Sequence, residues 1–209
     1  MITNQERAFF FKIMSSLFTP PDHEMMEQVA QGKLYSYSRN YIPSWGGDME
    51  RLRGFHTKAS PEILLMNLKE EYDRLFSDTG AERISLVESF YKPWTRDPHC
   101  TLPFATDKGF LMGDSAIHLS TIYGECGLEP EPTFKGMPDH LVIELEFLSY
   151  LYQGGDNKVI RTFIENHLDW IPLLKKELDR SHPHPFYVSA SEILGLFLKK
   201  EVERLEGEA

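Results

Sequence analysis

The sequence predicts an all-α protein, a single helical bundle, on three observations. Apolar residues recur at helical spacing along most of its 209 residues. Alternating β-branched runs, which are typical of strands, are absent from the sequence. Prolines and glycines cluster between the periodic segments, where they separate one helix from the next. A chain of this length buries about 70% of its surface on folding, and 41% hydrophobic residues are enough to fill such a core.

Start and stop signals place the predicted helices in the first half of the chain. Thr3-x-x-Glu6 has the form of a capping box, and Ser60-Pro61 puts serine at a helix cap and proline at the first helical position. Residues 32–60 contain glycine and proline throughout, which predicts turns and at most broken helix. Helices are predicted over residues 3–18, 23–31, 60–76 and 84–90.

The second half begins with a long irregular stretch over residues 91–110, which is interrupted by three prolines. Loops of that length inside a compact domain are commonly functional. Pro172 either kinks a helix or starts a new one. Helices are predicted over residues 116–126, 139–153, 157–168 and 186–205.

The clearest linker in the chain is the proline-rich segment 129–137. We predict one all-helical domain over residues 1–209, with a larger N-terminal helix set in 1–128, a hinge linker in 129–137 and a smaller C-terminal set in 138–209. Hinge segments are where the exchange of elements between two chains begins. The sequence therefore leaves open a monomer or a domain-swapped homodimer.

A net charge of −10, from 22 basic and 32 acidic residues, bounds the possible partners. A protein that binds the phosphate backbone needs the opposite charge, so we predict no nucleic-acid partner, whereas a cationic peptide would be attracted. The two cysteines form no CxxC pair, which fits a reducing compartment. The sequence shows no signal peptide and no apolar run long enough for membrane insertion. We expect a cytoplasmic protein.

The usual sequence signatures of catalysis are missing. There is no GxxxxGK(S/T), no HExxH, no GxSxG and no Glu-x-x-His pair of a di-iron site. His140 and Glu144 stand four residues apart, but they would supply only two metal ligands. A simpler interpretation makes them a solvated ion pair, with Asp139 in the first turn of the same helix. We predict that the protein is not an enzyme and that it uses no cofactor and no metal.

Three sequence elements in register carry a resemblance to a known family. These are Glu71-Tyr72-x-Arg74-Leu75-Phe76, then Glu88-Ser89-Phe90-Tyr91, and then Pro138-Asp139-His140-Leu141-x-x-Glu144 directly after the proline-rich linker. Tyr123-x-x-x-Gly127-Leu128 and Trp170-x-Pro172 extend the match over nearly the whole chain. The sequence resembles the TorD/DmsD/NarJ-type chaperones of molybdoenzyme maturation.

The resemblance implies a helical cytoplasmic chaperone of the TorD type. Such a protein binds the twin-arginine leader, or another part, of the apo catalytic subunit of a molybdenum oxidoreductase. It retains that subunit until the bis-molybdopterin guanine dinucleotide cofactor is inserted, before export or assembly. Weak binding of guanine nucleotide has been proposed for the family. The alternatives are a helical nucleotide-binding enzyme and a permanent adaptor subunit of a reductase complex.

The resemblance also implies where the client binds, at the Pro-Asp-His element and beside the Glu-Ser-x-Tyr loop. A twin-arginine leader has a pair of guanidinium groups followed by an apolar stretch. Binding such a peptide requires carboxylates and an apolar groove on the protein. Glu88, Asp139 and Glu144 are the candidate carboxylates, and Phe90, Tyr91, Trp94 and the edge of Leu141 are candidates for the groove. We expect Asp139→Ala with His140→Ala to weaken peptide binding at an unchanged melting temperature. The predicted client-binding residues are Asp139, His140, Glu144, Glu88, Ser89, Tyr91, Pro93 and Trp94.

Overall fold

The computed structural model describes residues 2–207, and within that range it is built from helices. The ends of the predicted domain, residue 1 and residues 208–209, lie outside the described residues. The α-helices are α1 Asn4–Ser16, α2 His23–Ala30, α3 Lys33–Arg39, α4 Pro61–Phe76, α5 Asp114–Glu125, α6 Leu141–Gly154, α7 Asn157–His167, α8 Ile171–Ser181 and α9 Pro185–Gly207. Short 3-10 helices cover Ile42–Trp45, Met49–Phe55, Glu88–Phe90 and Pro132–Phe134. The predicted all-α fold is confirmed.

Two helix starts form as the sequence predicts. In the capping box of α1, the backbone N–H of Glu6 donates to Oγ1 of Thr3 at 3.2 Å, and that of Thr3 donates to Oε2 of Glu6 at 2.7 Å. At α4 the hydroxyl oxygen of Ser60 accepts from the backbone N–H of Ile63, and Pro61 occupies the first turn. Pro172 lies in the first turn of α8, so it belongs to a new helix.

The helix predicted over residues 84–90 is wrong in its first part. Only Glu88–Phe90 is helical there, as a single 3-10 turn. Before it, the backbone is extended and pairs with residues 139–141, through an antiparallel bridge between Val87 and His140. The backbone N–H of Leu141 donates to the carbonyl of Leu86 at 2.8 Å. This pairing joins residues far apart in sequence, and local periodicity carries no signal for it.

The chain forms two compact units that alternate along the sequence. The first unit contains the segment that ends at Ser16 and the segment Ser85–Leu173, and the second contains Leu17–Ile84 and the segment from Leu174 onward. The linker at 129–137 lies within the first unit. Its predicted role as a hinge between an N-terminal and a C-terminal helix set stays a prediction.

In the first unit, α1 packs along α6. The rings of Phe11 and Tyr152 stack with their centroids 5.6 Å apart, and the hydroxyl of Ser149 donates to the carbonyl of Ala8 at 2.8 Å. Ten of the fourteen residues of α6 are buried, so α6 is the central helix of this unit. Its N-terminus is where the family elements meet.

In the second unit, α9 packs against the 3-10 helix Met49–Phe55. The backbone N–H of Gly54 donates to the hydroxyl oxygen of Ser189 at 2.9 Å. A Cβ atom on Gly54 would lie 1.8 Å from the carbonyl oxygen of Pro185, so this approach requires glycine. No helix in the range 2–207 has the length and apolar character needed to cross a membrane.

Candidate functional site

The Glu-Ser-x-Tyr and Pro-Asp-His elements come together through Asp139. Its Oδ2 atom accepts a hydrogen bond of 2.8 Å from the backbone N–H of Ser89 and a second one from the Ser89 hydroxyl. The two residues are 50 positions apart in sequence, and Asp139 is fully buried. Burial raises the pKa of Asp139, although the hydrogen bonds from Ser89 act in the opposite direction. Asp139 therefore fixes the loop to the start of α6.

Glu88 is the centre of a buried polar cluster. Its Oε1 atom lies 2.5 Å from Nζ of Lys92 and accepts from the hydroxyl of Ser115 at 3.0 Å. Its Oε2 atom accepts from Nδ1 of His167 at 3.0 Å. Burial alone would raise the pKa of Glu88, but His167 and Lys92 outweigh it and hold that pKa below its usual value. The carboxylate of Glu88 is therefore charged and fully engaged.

Lys92 extends this cluster to the C-terminal end of α7. Its ammonium donates to the backbone carbonyl of Asn166 at 2.7 Å and also forms an ion pair with Asp169. A cation is favoured at this end of a helix, where unpaired carbonyls concentrate negative charge. One buried side chain thus links the loop at residues 88–92 to α7.

Glu144 is a buried carboxyl group of a different kind. It is fully buried and accepts a hydrogen bond of 3.1 Å from Nε1 of Trp170. Burial, and then the negative charges of Glu88 and Asp139, raise the pKa of Glu144 well above its usual value. The group therefore keeps its proton at pH values where an exposed glutamate has lost it.

His140 caps α6 rather than pairing with Glu144. Its Nδ1 atom accepts from the backbone N–H of Val142 at 3.2 Å, and burial lowers the pKa of His140 to about 4. A neutral histidine beside a fully buried carboxyl is not a solvated ion pair, so that interpretation of His140 and Glu144 is wrong. The helix begins two residues later than predicted because His140 is its cap.

A chain of hydrogen bonds leads from Glu88 towards the surface. Nε2 of His167 lies 2.8 Å from Nδ1 of His118, so one ring donates to the other. His118 lies at the edge of a groove of about 600 Å³ between α5, α6 and α7, and burial together with His167 lowers the pKa of His118. Apolar side chains, including Ile122, Phe147 and Phe163, form most of the walls of the groove.

The irregular stretch is held at its base by Tyr91 and Trp94. Tyr91 is buried, its ring stacks on Trp170 with a centroid distance of 5.0 Å, and its hydroxyl donates to the carbonyl of Ser85 at 2.8 Å. Trp94 is half-buried and donates from Nε1 to the carbonyl of Leu111 at 3.3 Å. These contacts therefore order the loop at its base.

Beyond that base, the loop exposes large apolar side chains to solvent. The ring of Trp94 contacts Phe104, and Phe104 contacts Phe110, with centroid distances of 5.2 Å in both cases. Soluble monomers rarely expose large contiguous apolar patches unless they serve an interaction. We use the name apolar loop patch for five residues that are between 40% and 46% exposed: Phe90, Leu102, Phe110, Leu111 and Met112.

The eight residues predicted from the sequence fall into two groups. Three of the eight are half-buried, namely Pro93, Trp94 and His140. The other five are buried: Glu88, Ser89, Tyr91, Asp139 and Glu144. Leu141 is also fully buried, so it offers no edge to a groove. Contact of these residues with a client stays a prediction. No cluster of three potential metal ligands occurs in the part of the chain that the structure describes.

Comparison with known proteins decides the family. A family model described as the nitrate reductase delta subunit matches residues 44–176, which is more than half of the chain. The chain belongs to this family. The resemblance to TorD-type proteins found in the sequence is confirmed by relatives that span nearly its whole length.

Members of the family with curated names are similar to the chain at low identity. The chaperone protein TorD of Vibrio parahaemolyticus is 24% identical over 98% of this chain and 97% of its own length. TorD of Vibrio cholerae is 23% identical over 98% of the chain and 94% of its own length. TorD of Salmonella paratyphi B reaches 32% identity, over 47% of the chain and 49% of its own length. No solved structure matched the chain.

Proposed function

We propose that the protein is a cytoplasmic chaperone that binds the apo catalytic subunit of a molybdenum oxidoreductase, through its twin-arginine leader or another segment. It assists insertion of the bis-molybdopterin guanine dinucleotide cofactor and retains the subunit before export or assembly. The observation that carries this proposal is the similarity to TorD chaperones over 98% of the chain. In this proposal the protein acts by binding and not by catalysis.

The geometry supports a binding role for the apolar loop patch. The patch is exposed, yet the base of its loop is fixed by buried contacts of Tyr91, Glu88 and Lys92. A surface that is already ordered loses less entropy when a partner binds than a flexible one does. The net charge of −10 would speed the encounter with a basic leader.

The predicted client-binding residues then act in two ways. Trp94 and Pro93 contact the client beside the apolar loop patch. The buried residues of the set, such as Asp139 and Glu88, position the loop from inside. Oδ2 of Asp139 accepts from Ser89, and both carboxyl oxygens of Glu88 have internal partners. Weak binding of guanine nucleotide and exchange of helices between two chains stay predictions.

Replacing two apolar side chains of the apolar loop patch should weaken client binding without unfolding the protein. We expect Phe110→Ser with Leu111→Ser to raise the Kd for the apo catalytic subunit at least about 10-fold, since burying each large apolar side chain contributes about 1.5–3 kcal/mol. Calorimetric titration with the apo catalytic subunit of a molybdenum oxidoreductase measures the Kd. Circular dichroism checks that the helices are retained.

The matched control is Ile63→Ser with Met66→Ser on α4, where both side chains are more than half exposed. This control should bind the client like the wild type. An equal Kd for the wild type and for Phe110→Ser with Leu111→Ser would show that the apolar loop patch does not bind the client. Failure of the wild type to bind any catalytic subunit or leader would contradict the proposed function itself.

A permanent adaptor subunit of a reductase complex is a second candidate. The description of the family model favours it, because that description names a subunit of nitrate reductase. Purification of the mature, cofactor-loaded enzyme separates the two functions. A chaperone is absent from the finished complex, whereas an adaptor stays with it at a fixed stoichiometry.

A further inference from the structure

A small pocket lies between the linker and α6, and none of the predicted client-binding residues lines it. Its volume is about 210 Å³, and it lies within the first compact unit. The apolar part of its lining comes from Leu128, Pro130, Ile143 and the rings of Tyr123, Phe147 and Tyr150. The remaining lining residues are all acidic: Glu129, Glu131 and Glu146. No lysine or arginine lines it, so its rim is negative throughout.

The acids of this rim are available to a ligand to different degrees. Among the described residues, no hydrogen bond or ion pair is formed by the side chains of Glu129 and Glu131, and both residues are exposed. Burial and then repulsion from Glu131 raise the pKa of Glu146, against a weaker opposing effect of Lys12. A cation placed in the pocket would relieve that repulsion.

The walls of the pocket favour a planar cation over a compact one. Tyr150 is 45% exposed, and its ring stacks on Phe147 with a centroid distance of 5.8 Å and an interplanar angle of 24°. A guanidinium group stacks on aromatic faces and binds carboxylates through two parallel hydrogen bonds, which an ammonium group cannot do.

We infer that this pocket binds an arginine side chain of the client, between the ring of Tyr150 and the carboxylates of Glu129 and Glu131. The inference rests on the proposed function and specifies where the basic part of the client is recognised. The buried carboxyls of Glu88 and Glu144 cannot take this role in the described conformation, because a peptide does not reach them.

The position of the pocket allows one client segment to reach the apolar loop patch as well. The patch residues Leu111 and Met112 lie just before the start of α5, and the pocket residue Leu128 lies just after its end. The 12 residues of α5 span about 18 Å. An extended peptide covers that distance with about five or six residues at 3.3 Å each. A basic pair followed by an apolar stretch fits that spacing.

Titration with two peptides and two variants tests the inference. The probes are a twin-arginine leader peptide of a molybdenum oxidoreductase and the same peptide with both arginines replaced by glutamine. Glu129→Gln with Glu131→Gln should weaken binding of the arginine peptide by about 5- to 10-fold per carboxylate. The same variant should change binding of the glutamine peptide less than about 2-fold, because no guanidinium remains to be recognised.

A control variant separates this local effect from long-range charge. Glu24→Gln with Glu70→Gln removes two exposed acids from the second compact unit and changes the net charge equally. It should bind the arginine peptide within about 2-fold of the wild type at physiological ionic strength. Equal weakening by the control and the pocket variant would overturn the inference, since only net charge would then matter.

The remaining outcomes distinguish this inference from the proposed function. Unchanged binding of the leader by Glu129→Gln with Glu131→Gln overturns the pocket and leaves the proposed function standing. If the wild type binds no leader, the probe becomes N-acetylarginine methylamide, followed by NMR at the Tyr150 ring and the Ile143 methyl groups. Chemical-shift changes that occur in the wild type and disappear in Glu129→Gln with Glu131→Gln support the pocket. The absence of chemical-shift changes in the wild type overturns it.

Discussion

Glu88→Ala is expected to lower the free energy of unfolding by about 3–5 kcal/mol, because a buried cation, one buried donor and one half-buried donor lose the acceptor that they share. Lys92, Ser115 and His167 all direct polar atoms at this one carboxylate. Lys92 keeps its contacts with Asn166 and Asp169, which limits the loss to this range. Urea denaturation followed by circular dichroism measures the change.

Glu144→Gln is the matched control for that substitution. Glu144 is also fully buried, but its raised pKa favours the neutral form, which a glutamine of the same shape reproduces. The amide oxygen can still accept from Trp170, and we expect a change of less than about 1 kcal/mol. Equal stability of Glu88→Ala and the wild type would show that the cluster around Glu88 does not hold the loop.

Asp139→Ala with His140→Ala should destabilise the protein by about 3 kcal/mol. The substitutions remove the acceptor of two hydrogen bonds from Ser89, at about 1–3 kcal/mol for buried donors left unpaired, and the cap of α6, at about 1 kcal/mol. The sequence alone led us to expect an unchanged melting temperature. Thermal denaturation followed by circular dichroism distinguishes the two expectations.

The single variant His140→Ala serves as the control for the cap. It should lower the free energy of unfolding by about 1 kcal/mol, and the loss of Asp139 should account for the rest of the decrease in the double variant. A double variant that melts like the wild type but no longer binds the client would contradict the structural role. In that case Asp139 and His140 would contact the client directly, as the family resemblance implies.

The helical part of the fold was predictable because its signals are local. Ser60 and Pro61 mark the start of α4, and the capping box of Thr3 and Glu6 forms in the structure. The backbone of residues 84–87 was mispredicted because its conformation depends on pairing with residues 139–141. Periodicity within a short segment contains no information about a partner 50 residues away.

The candidate site was predictable in its members but not in their surroundings. The family elements identified Glu88, Ser89 and Asp139, which the structure brings together. Their complete burial could not be read from the sequence, because exposed and buried carboxylates look alike there. His118 and His167 were missed, since they are 49 positions apart and belong to no motif.

Hydrogen exchange of the complex with the apo catalytic subunit tests the central claim most directly. That claim is that a loop fixed from inside by Glu88 and Asp139 presents its exposed apolar side chains to the client. We expect binding to slow exchange of backbone amides within residues 94–113 and to leave the amide of Ser89 unchanged, because it is already bonded to Asp139. Unchanged exchange across 94–113 in a saturated complex would contradict the claim.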